Sequence, residues 1–476
     1  MWTPNARYPL ALPPAPRPWR DVFSPNDGTP LGSFEQLTSE DVARVAQRAL
    51  AGHAHFQSVS RPARAKSLRT IAEGITRASE LLAQMIAASG GKPLKDARLE
   101  VQRAALTFEL CAREALELAA PPSGIFAASS PAAAAKRFRF HRVPIGPVLA
   151  LSAFNHPLNL LAHQVGTALA AGNSVVLKPS PAAPHCAHWL IEHLAPLLPE
   201  HTLQLVHAEV PEIEALVARP EFQYVSFIGS ARVGWQLRRL LAPGTRLALE
   251  HGGTAAAVVL PDADLPQAVG ALLRGAFYHA GQVCISTQKI YLHELVFDAF
   301  CRLFVSEARR LKTGDAREAD TDVGPLIRPG EKVRLQTWIH EAQALGAKLL
   351  LAPEERAGSY LTPTVLADTP AGALLMREEA FGPVVNLLRW RDERALVAEL
   401  ESSPYHFAAS VFGRSDTELE RWAHELPAMS VVVNDHTAWR VDEMPFGGHR
   451  QAGLGMGGVK FSVEEQTRLT QVTWPA

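Results

Sequence analysis

The 476-residue sequence predicts an α/β fold with two doubly wound α/β domains. From Gly146 to ARVGWQLRRLLA, short apolar strands alternate with amphipathic helices, which is typical of a parallel sheet covered on both faces. A second block of the same kind begins near RLALEHGGTAAAVVL and runs to about VVVNDHTAW. The chain is also too long for one compact core, so we expect two or three domains.

Two other segments flank these blocks. From about Thr38 to Leu118 the pattern is helical, and TSEDVARVAQRAL begins with capping residues before its apolar face. The next segment, SGIFAASSPAAAAKRFRFHRV, alternates basic and apolar residues and predicts an exposed hairpin. The C-terminal segment is glycine-rich and then strand-like, which suits a tail that leaves its own domain.

The charge balance limits the classes of partner. Forty-seven basic and forty-eight acidic side chains give a formal charge of −1, so no overall field favours nucleic acid or an anionic membrane. No apolar run is long enough for a signal peptide or a membrane-spanning helix. We therefore expect a cytoplasmic protein with a small-molecule partner.

The cysteines are the first candidates for chemistry. There are four, far apart and without a CxxC motif, so the sequence predicts neither a disulfide framework nor a metal site. Three lie in amphipathic helical patterns and are interpreted as ordinary buried thiols. These are Cys111, Cys186 and Cys301.

Cys284, in HAGQVCISTQ, has a different setting. The helix before it, which opens at Asp264, ends before Gly281, so the thiol is expected on a loop that could present it to a cleft. It is either packing material or a nucleophile, and a nucleophilic thiol needs a nearby base or a positive field.

Two polar residues at strand ends could assist such a thiol. Glu250 ends an apolar strand before two glycines, where it is either a base or a salt-bridged carboxylate. Asn155 ends another strand and either donates to an oxyanion or caps the next helix. The FIGSARVG turn is a possible pyrophosphate cradle, although Gly229 and Gly234 do not have the usual dinucleotide spacing.

Taken together, the ordered residues Asn155, Lys178, Gly229, Glu250 and Cys284 resemble the aldehyde dehydrogenase superfamily. The motifs that carry the resemblance span nearly the whole chain: GKPLKDA, FNHP, LKPS, FIGSARVG, LEHGG, GQVC, VGPLI, EEAFGPV and PFGG. FNHPLNL and GGVKFSVEEQT look most like the branch of lactaldehyde, phosphonoacetaldehyde and non-phosphorylating glyceraldehyde-phosphate dehydrogenases.

The resemblance implies a reaction. Cys284 would attack the carbonyl of a small-molecule aldehyde while Asn155 steadies the oxyanion, and hydride would pass to NAD or NADP. Glu250 would then activate the water that hydrolyses the thioester, releasing a carboxylic acid.

It also implies a set of cofactor contacts. Lys178 and Glu379 would bind ribose hydroxyls, Ser230 would approach the pyrophosphate, and Phe381 would pack near the nicotinamide. The other residues expected at the cofactor are Ser180, Pro181, Gly229 and Val233. Pro181 replaces a glutamate that in the family often repels a 2′-phosphate, so NADP could be accepted as well as NAD.

The expected substrate pocket contains His156, Val283 and Ile285. Branch members that hold a phosphate or phosphonate typically carry arginine before the cysteine. Val283 has no charge, which predicts a neutral or weakly polar aldehyde. His251 is interpreted as a neutral, hydrogen-bonded side chain, whereas His156 is either that or a ligand for the substrate.

The resemblance further implies a division of the chain. Residues 1–120 and 144–247 would form a nucleotide-binding domain, and residues 248–442 a catalytic domain. Residues 121–143 and 443–476 would form an arm that joins subunits into a homodimer or homotetramer.

The sequence leaves two alternatives to this predicted function. One is a CoA-acylating enzyme of the same fold, against which Glu250 speaks because such enzymes commonly lack this base. The other is a catalytically silent structural protein on the same scaffold, which the joint presence of Cys284, Glu250 and Asn155 disfavours.

Overall fold

The computed structural model describes residues 6–121, 123–126 and 135–475. It begins with a three-stranded sheet in the order β1-β3-β2, whose strands are β1 (Ala6–Tyr8), β2 (Trp19–Phe23) and β3 (Pro30–Glu35). Val22, Leu31 and Phe34 are its buried core. This sheet was not predicted from the sequence, because its strands are short and a proline-rich segment separates β1 from β2.

The helical segment that follows is confirmed. Its helices are α1 (Asp41–Phe56), α2 (Arg61–Arg77), α3 (Ser79–Gly90) and α4 (Leu94–Glu117). Ser60 caps α2 by accepting a hydrogen bond from the Ala63 N–H at 3.4 Å. Helices α2, α3 and α4 share one apolar core with the first large sheet, so this segment is part of the first α/β block.

The predicted hairpin and tail pair with each other. Strand β4 (Gly124–Phe126) is antiparallel to β5 (Lys136–Pro144), and the turn between them lies outside the described residues. The C-terminal strand Thr467–Pro475 pairs with β5 along its whole length, from Thr467 opposite Pro144 to Pro475 opposite Lys136. These strands form a separate three-stranded sheet.

The first doubly wound sheet is confirmed. Its parallel strands are β6 (Val148–Leu151), β7 (Val175–Lys178), β8 (Leu203–Leu205), β9 (Tyr224–Ile228) and β10 (Arg246–Glu250). They are arranged β10-β9-β6-β7-β8, so the chain winds in one direction from β6 to β8 and in the other from β6 to β10. The crevice at the carboxyl ends of β6 and β9 is therefore the switch point where such folds bind ligands.

Helical segments connect these strands. They are α5 (Asn159–Leu161), the π-helical turn Ala162–Gly166, α6 (Thr167–Ala171), α7 (His185–Leu194), α8 (Val210–Val217) and α9 (Ala231–Leu237).

The second sheet has the order β13-β14-β15-β12-β11-β17-β18. Its strands are β11 (Ala255–Val259), β12 (Thr287–His293), β13 (Lys348–Leu351), β14 (Thr364–Ala367), β15 (Val384–Trp390), β17 (Ala408–Phe412) and β18 (Ser430–Val433). The helices of this block are α10 (Leu265–Phe277), α11 (Glu294–Ala308), α12 (Pro329–Ala344), α13 (Leu374–Arg377), α14 (Glu393–Ser402) and α15 (Asp416–Glu425). Apart from the antiparallel edge strand β13, the sheet is parallel.

Short elements complete the chain. They are β16 (Tyr405–His406), β19 (His449–Arg450), β20 (Gly453–Leu454), α16 (Val459–Glu465) and β21 (Thr467–Pro475). Strand β20 adds antiparallel to the edge of the first sheet beside β10, which ties the C-terminal segment to that block. Within the described part of the chain, we find no helix with the length and apolarity needed to cross a membrane.

Candidate active site

A cavity of about 1220 Å³ lies at the carboxyl ends of β6, β9 and β10. It brings together Asn155, Glu250 and Cys284, which are far apart in the sequence. The other predicted site residues on its wall are His156, Ser180, Pro181, Gly229, Ser230, Val233, Val283, Ile285, Glu379 and Phe381. Lys178 is not on the cavity wall; it ends β7, two residues before Ser180.

The loop that presents Cys284 depends on an unusual backbone. His279 and Ala280 have positive φ angles of 49° and 54°, and Gly281 follows at 67°. A Cβ at Gly281 would lie 2.2 Å from the Gly382 carbonyl oxygen, so only glycine fits this position. The sharp turn ends the preceding helix and leaves the half-buried thiol at the cavity.

The surroundings of Cys284 disfavour the thiolate. Burial raises its pKa well above the ordinary value, and the charges of Glu250 and Glu379 raise it further. Arg440 opposes this shift. The other three cysteines are buried, as predicted.

Glu250 has the properties of a general base. It ends β10 between Ile228 on β9 and Gly453 on β20. Burial raises the pKa of its carboxyl to about 7, opposed by the charge of Arg440. Among the described residues none forms a salt bridge with Glu250, so the salt-bridged alternative is not observed. A carboxyl that titrates near neutrality can accept and release a proton during turnover.

Asn155 is buried and faces the cysteine loop. Its Nδ2 donates a hydrogen bond to the Gln282 carbonyl at 3.0 Å, two residues before Cys284. It does not cap the next helix. Glu100 of α4 does so instead, accepting from the backbone N–H groups of Leu158 at 2.8 Å and Asn159 at 3.2 Å.

Glu100 belongs to a buried ion pair that supports this loop. The side chain of Lys92, from the GKPLKDA motif, donates to its carboxylate, and both side chains are fully buried. The Lys92 ammonium also lies 5.9 Å from the centre of the Tyr278 ring, which lines the cavity. The ion pair therefore connects the asparagine loop with the segment that leads to Cys284.

Glu379 is an acidic side chain on the cavity wall. Burial raises the pKa of its carboxyl to about 8, and its Oε1 has no hydrogen-bond partner among the described residues. A Cβ at Gly252 would lie 1.6 Å from that oxygen. The glycine in LEHGG thus makes room for the carboxylate, and a hydroxyl donor would satisfy it.

The Gly229–Ser230 turn can approach a phosphate closely. It follows β9 and precedes α9, and both residues face the cavity. Beneath it, the Nδ1 of His251 lies 2.9 Å from the Gly229 carbonyl oxygen, and burial lowers the pKa of this imidazole. A Cβ at Gly234 would lie 2.0 Å from His251, so His251 packs under the turn as a neutral side chain. A dinucleotide fits these residues.

Two more expected cofactor residues have distinct surroundings. Burial, and then the charge of Arg20, lower the pKa of Lys178 to about 8. Phe381 has a positive φ of 46°, and its ring meets that of Phe154 edge to face at 5.9 Å between centroids. These rings form an aromatic wall of the cavity.

The expected substrate pocket is apolar on one side. Val283 and Ile285 are buried and pack with Phe446. His156 faces the cavity as a neutral side chain, because burial and then the charge of Lys92 hold its pKa well below the ordinary value.

Arg440 is the main feature that the sequence analysis missed. It follows β18 in the loop before PFGG, lines the cavity, and stacks over Phe446 with 3.8 Å between its Cζ and the ring centre. Its Nε and Nη2 have no hydrogen-bond acceptor among the described residues. Burial lowers the pKa of its guanidinium.

The acid nearest in the sequence, Asp442, acts on Arg440 through its charge, but among the described residues it forms its salt bridges with Arg103 and His163 and none with Arg440. Asp442 accepts two hydrogen bonds from Arg103, at 2.8 and 2.9 Å, one from Asn159 at 3.1 Å, and lies 3.0 Å from His163 Nε2. Burial would raise the pKa of Asp442, but the hydrogen bonds from His163 and Arg103 outweigh it and hold the pKa far below the ordinary value. Asp442 is thus a fully engaged anion.

Comparison with known proteins decides the family. Residues 14–472 match the aldehyde dehydrogenase family. The chain belongs to the aldehyde dehydrogenase family. It is 34% identical to 3-sulfolactaldehyde dehydrogenase of Priestia aryabhattai over 94% of this chain and 93% of the relative. It is 32% identical to lactaldehyde dehydrogenase of Methanocaldococcus jannaschii over 95% of this chain and 96% of the relative.

A solved structure agrees with this assignment. Glyceraldehyde-3-phosphate dehydrogenase GapN from Methanocaldococcus jannaschii, in complex with NADP, superposes with a TM-score of 0.90. It is 31% identical, and the match covers 96% of this chain and 99% of that one. The present protein is therefore an NAD(P)-dependent aldehyde dehydrogenase that oxidises an aldehyde to a carboxylic acid.

In this aldehyde dehydrogenase, two of the residues that were not predicted could have been found from their position in the fold. Arg440 and Asp442 follow the carboxyl end of the parallel strand β18, where α/β folds place functional groups. Arg103 lies on the long helix α4 and His163 on the π-helical turn. In the sequence, neither residue differs from an ordinary polar position on a helix. Only the fold brings them to Asp442.

Proposed function

We propose that this aldehyde dehydrogenase acts on a short aldehyde that carries an anionic group, such as a carboxylate, sulfonate or phosphate. The observation that carries the proposal is Arg440, whose guanidinium lines the cavity beside Phe446 while Asp442 is occupied by Arg103. A cation with unused donors in a site shielded from water favours a ligand of opposite charge.

This proposal replaces the expectation of a neutral substrate. That expectation rested on Val283, which has no charge, but Arg440 brings a guanidinium to the same cavity from another loop. The names of 3-sulfolactaldehyde dehydrogenase and glyceraldehyde-3-phosphate dehydrogenase support an anionic substrate. The name of lactaldehyde dehydrogenase points instead to a neutral hydroxyaldehyde, which makes that compound the comparison for the test.

The proposed chemistry begins at Cys284. Its thiol releases its proton to solvent, and the thiolate sulfur forms a bond to the aldehyde carbon while the carbonyl oxygen becomes the oxyanion of a thiohemiacetal. One Nδ2 hydrogen of Asn155 is donated to Gln282, and the other is available to the oxyanion together with the Cys284 N–H.

NAD(P), when bound, supplies the oxidant by accepting a hydride, and Glu379, Ser230, Gly229 and Lys178 are the residues proposed to hold it. As the hydride leaves, the oxyanion re-forms the carbonyl, so the carbon is held to the sulfur as a thioester. Glu250 removes a proton from water, and the resulting hydroxide adds to the thioester carbon. The carbon–sulfur bond then breaks, the acid is released, and the departing sulfur takes the proton back from Glu250.

A panel of aldehydes matched in length tests the proposal. Succinic semialdehyde, 3-sulfolactaldehyde and glyceraldehyde 3-phosphate are compared with butanal and lactaldehyde, each with NAD and with NADP. We expect kcat/KM for at least one anionic aldehyde to exceed that of its neutral partner by about tenfold or more. A neutral aldehyde that is preferred by the same factor would refute the proposal.

The same assay separates hydrolysis from transfer to CoA. Glu250, with its raised pKa, favours water as the acceptor, so we expect free acid without CoA. Product formation that strictly requires CoA would contradict this part of the proposal.

We also propose that the arm joins subunits into a homodimer or homotetramer in the cytoplasm, with the domain limits given above. The support is the nine-residue pairing of β21 with β5 and the exposed apolar side chains Ile125, Leu469 and Trp474 on this sheet. Light scattering after size exclusion should give twice or four times the monomer mass. A monomer would exclude the proposed role of the arm.

A further inference from the structure

We infer that Arg20, on the N-terminal sheet, binds the 2′-phosphate of NADP and makes this enzyme prefer NADP to NAD. The inference rests on the dinucleotide-dependent reaction proposed above. It assigns a specificity residue to a part of the chain that contributes nothing to the chemistry at Cys284.

The N-terminal sheet is fixed beside the carboxyl end of β8, at the edge of the first large sheet. The Leu37 N–H donates to the His207 carbonyl at 2.7 Å, and the Phe34 ring stacks on the His207 imidazole at 3.9 Å between centroids. Phe34 is the residue opposite Arg20 in the pairing of β2 with β3. Arg20 is thereby held at the carboxyl end of β8.

This end of β8 is next to Lys178. The Val206 N–H donates to the Leu177 carbonyl at 2.9 Å, so the chain after β8 continues alongside the end of β7. Arg20 lines the cavity with Ser180 and Pro181, the segment that follows Lys178. Arg20 therefore lies near the segment that follows Lys178, and its charge acts on the Lys178 ammonium.

Glu209 holds the guanidinium of Arg20 in position. Its Oε1 accepts from Arg20 Nη1 at 2.7 Å and from Gln36 Nε2 at 2.6 Å. This is the only side-chain hydrogen bond of Arg20 among the described residues, so its remaining N–H groups are available to a ligand. The side chain is 43% exposed, which leaves it open to the crevice.

The charges around this position favour an anion. Arg20 and Lys178 are like charges, and the charge of Arg20 depresses the pKa of Lys178 after the larger effect of burial. Glu209 balances one positive charge, and Asp21 also faces the cavity. Pro181 offers no carboxylate to repel a phosphate or to hold a ribose diol, and an arginine that accepts the 2′-phosphate is how such sites select NADP.

Equilibrium titration of NADPH and NADH against the full-length protein tests the inference without turnover. The variants are Arg20→Gln and Arg20→Lys, with Arg7→Gln as a matched control. Arg7 is an arginine of the same sheet that packs over Trp19, with 5.5 Å between its Cζ and the ring centre. The thermal unfolding midpoint of each variant checks that the sheet remains folded.

We expect the wild type and Arg7→Gln to bind NADPH more tightly than NADH. Arg20→Gln should raise the Kd for NADPH by about ten- to hundredfold and leave the Kd for NADH unchanged within about twofold. Arg20→Lys should recover part of the loss, because it keeps the charge without the planar fork. Tighter binding of NADH by the wild type, or an equal effect of Arg20→Gln on both dinucleotides, would overturn the inference.

The outcome is distinguishable from failure of the proposed function. If Arg20→Gln still oxidises the aldehyde with NAD, the reaction stands whatever the titration shows. If neither dinucleotide is reduced by any aldehyde of the panel, the proposed function fails, whereas the two Kd values still decide the role of Arg20.

Discussion

Arg103 donates two parallel hydrogen bonds to Asp442, from Nη2 to Oδ1 at 2.8 Å and from Nε to Oδ2 at 2.9 Å. The pair joins α4 of the first block to the loop after β18 of the second. Because the carboxylate is saturated, the neighbouring Arg440 keeps unused N–H groups. Arg440 therefore lies on the cavity wall with Nε and Nη2 lacking hydrogen-bond partners among the described residues.

Arg440→Met should discriminate between substrates. Loss of the guanidinium should raise KM for an anionic aldehyde about ten- to hundredfold and leave KM for butanal within about threefold. Steady-state kinetics with both aldehydes measures this. Arg389→Met is the matched control, because Arg389 stacks on Phe297 at 3.6 Å, as Arg440 does on Phe446, but is not on the cavity wall. Equal losses for both aldehydes would mean that Arg440 has a structural role only.

Glu250→Gln should make the Cys284 thiol more acidic. Burial is the main cause of its raised pKa, and the charge of Glu250 adds to it once that carboxyl ionises above about pH 7. The variant should therefore be alkylated by iodoacetamide about two- to tenfold faster than wild type at pH 8. Glu378→Gln is the control, because Glu378 is an exposed glutamate next to Glu379. Unchanged alkylation in Glu250→Gln would show that its charge does not reach the thiol.

The raised pKa of Glu250 also predicts two opposite pH dependences. Release of the acid needs the carboxylate, so the deacylation rate should fall as the pH drops below about 7. The free energy of unfolding should instead fall as the pH rises. The reason is that Glu250 keeps its proton in the folded state at pH values where the same side chain has already lost it in the unfolded chain. Between about pH 4.5 and 7, raising the pH should cost the wild type some stability that Glu250→Gln does not lose. The unfolding midpoints of the two proteins, measured across this pH range, test this difference. Midpoints that change in parallel with pH would contradict it.

Glu100→Ala should destabilise the protein strongly. It leaves the fully buried Lys92 ammonium without its partner and removes the acceptor of the Leu158 and Asn159 N–H groups. We expect a loss of about 3–5 kcal/mol in the free energy of unfolding of the first block. The double variant Lys92→Met/Glu100→Leu should be less unstable than the single one, since it buries no unpaired charge. Denaturant unfolding of both compares them, and a single variant as stable as wild type would contradict the role of the ion pair.

The sequence predicted those parts of the site that depend on local signals. Strand ends and glycine turns pointed to Asn155, Gly229, Glu250 and Cys284, and the structure brings all four to one cavity. Periodicity likewise predicted the two α/β sheets and the helical segment before them. The resemblance to a family, carried by ordered motifs, is confirmed by the family match.

The sequence could not predict what depends on distant partners. Arg440 is one of many arginines, and its unused N–H groups follow from the pairing of Asp442 with Arg103, 339 residues earlier in the chain. Arg20 lies near Ser180 and Pro181 because the N-terminal sheet packs on His207, and the proline-rich start of the chain gave no sign of that sheet. Long-range pairing of charged side chains has no local pattern.

The proposed reaction depends most on Cys284, which carries the acyl group that Glu250 helps to hydrolyse. Glu250→Gln protein, incubated with the preferred aldehyde and NAD(P), can be measured by intact mass and peptide mapping. We expect one burst equivalent of NAD(P)H and a thioester adduct on the Cys284 peptide, and no adduct in Cys284→Ala, which should still bind NAD(P)H. Rapid acid formation by Cys284→Ala, or an adduct on Cys111, Cys186 or Cys301 instead, would contradict the account.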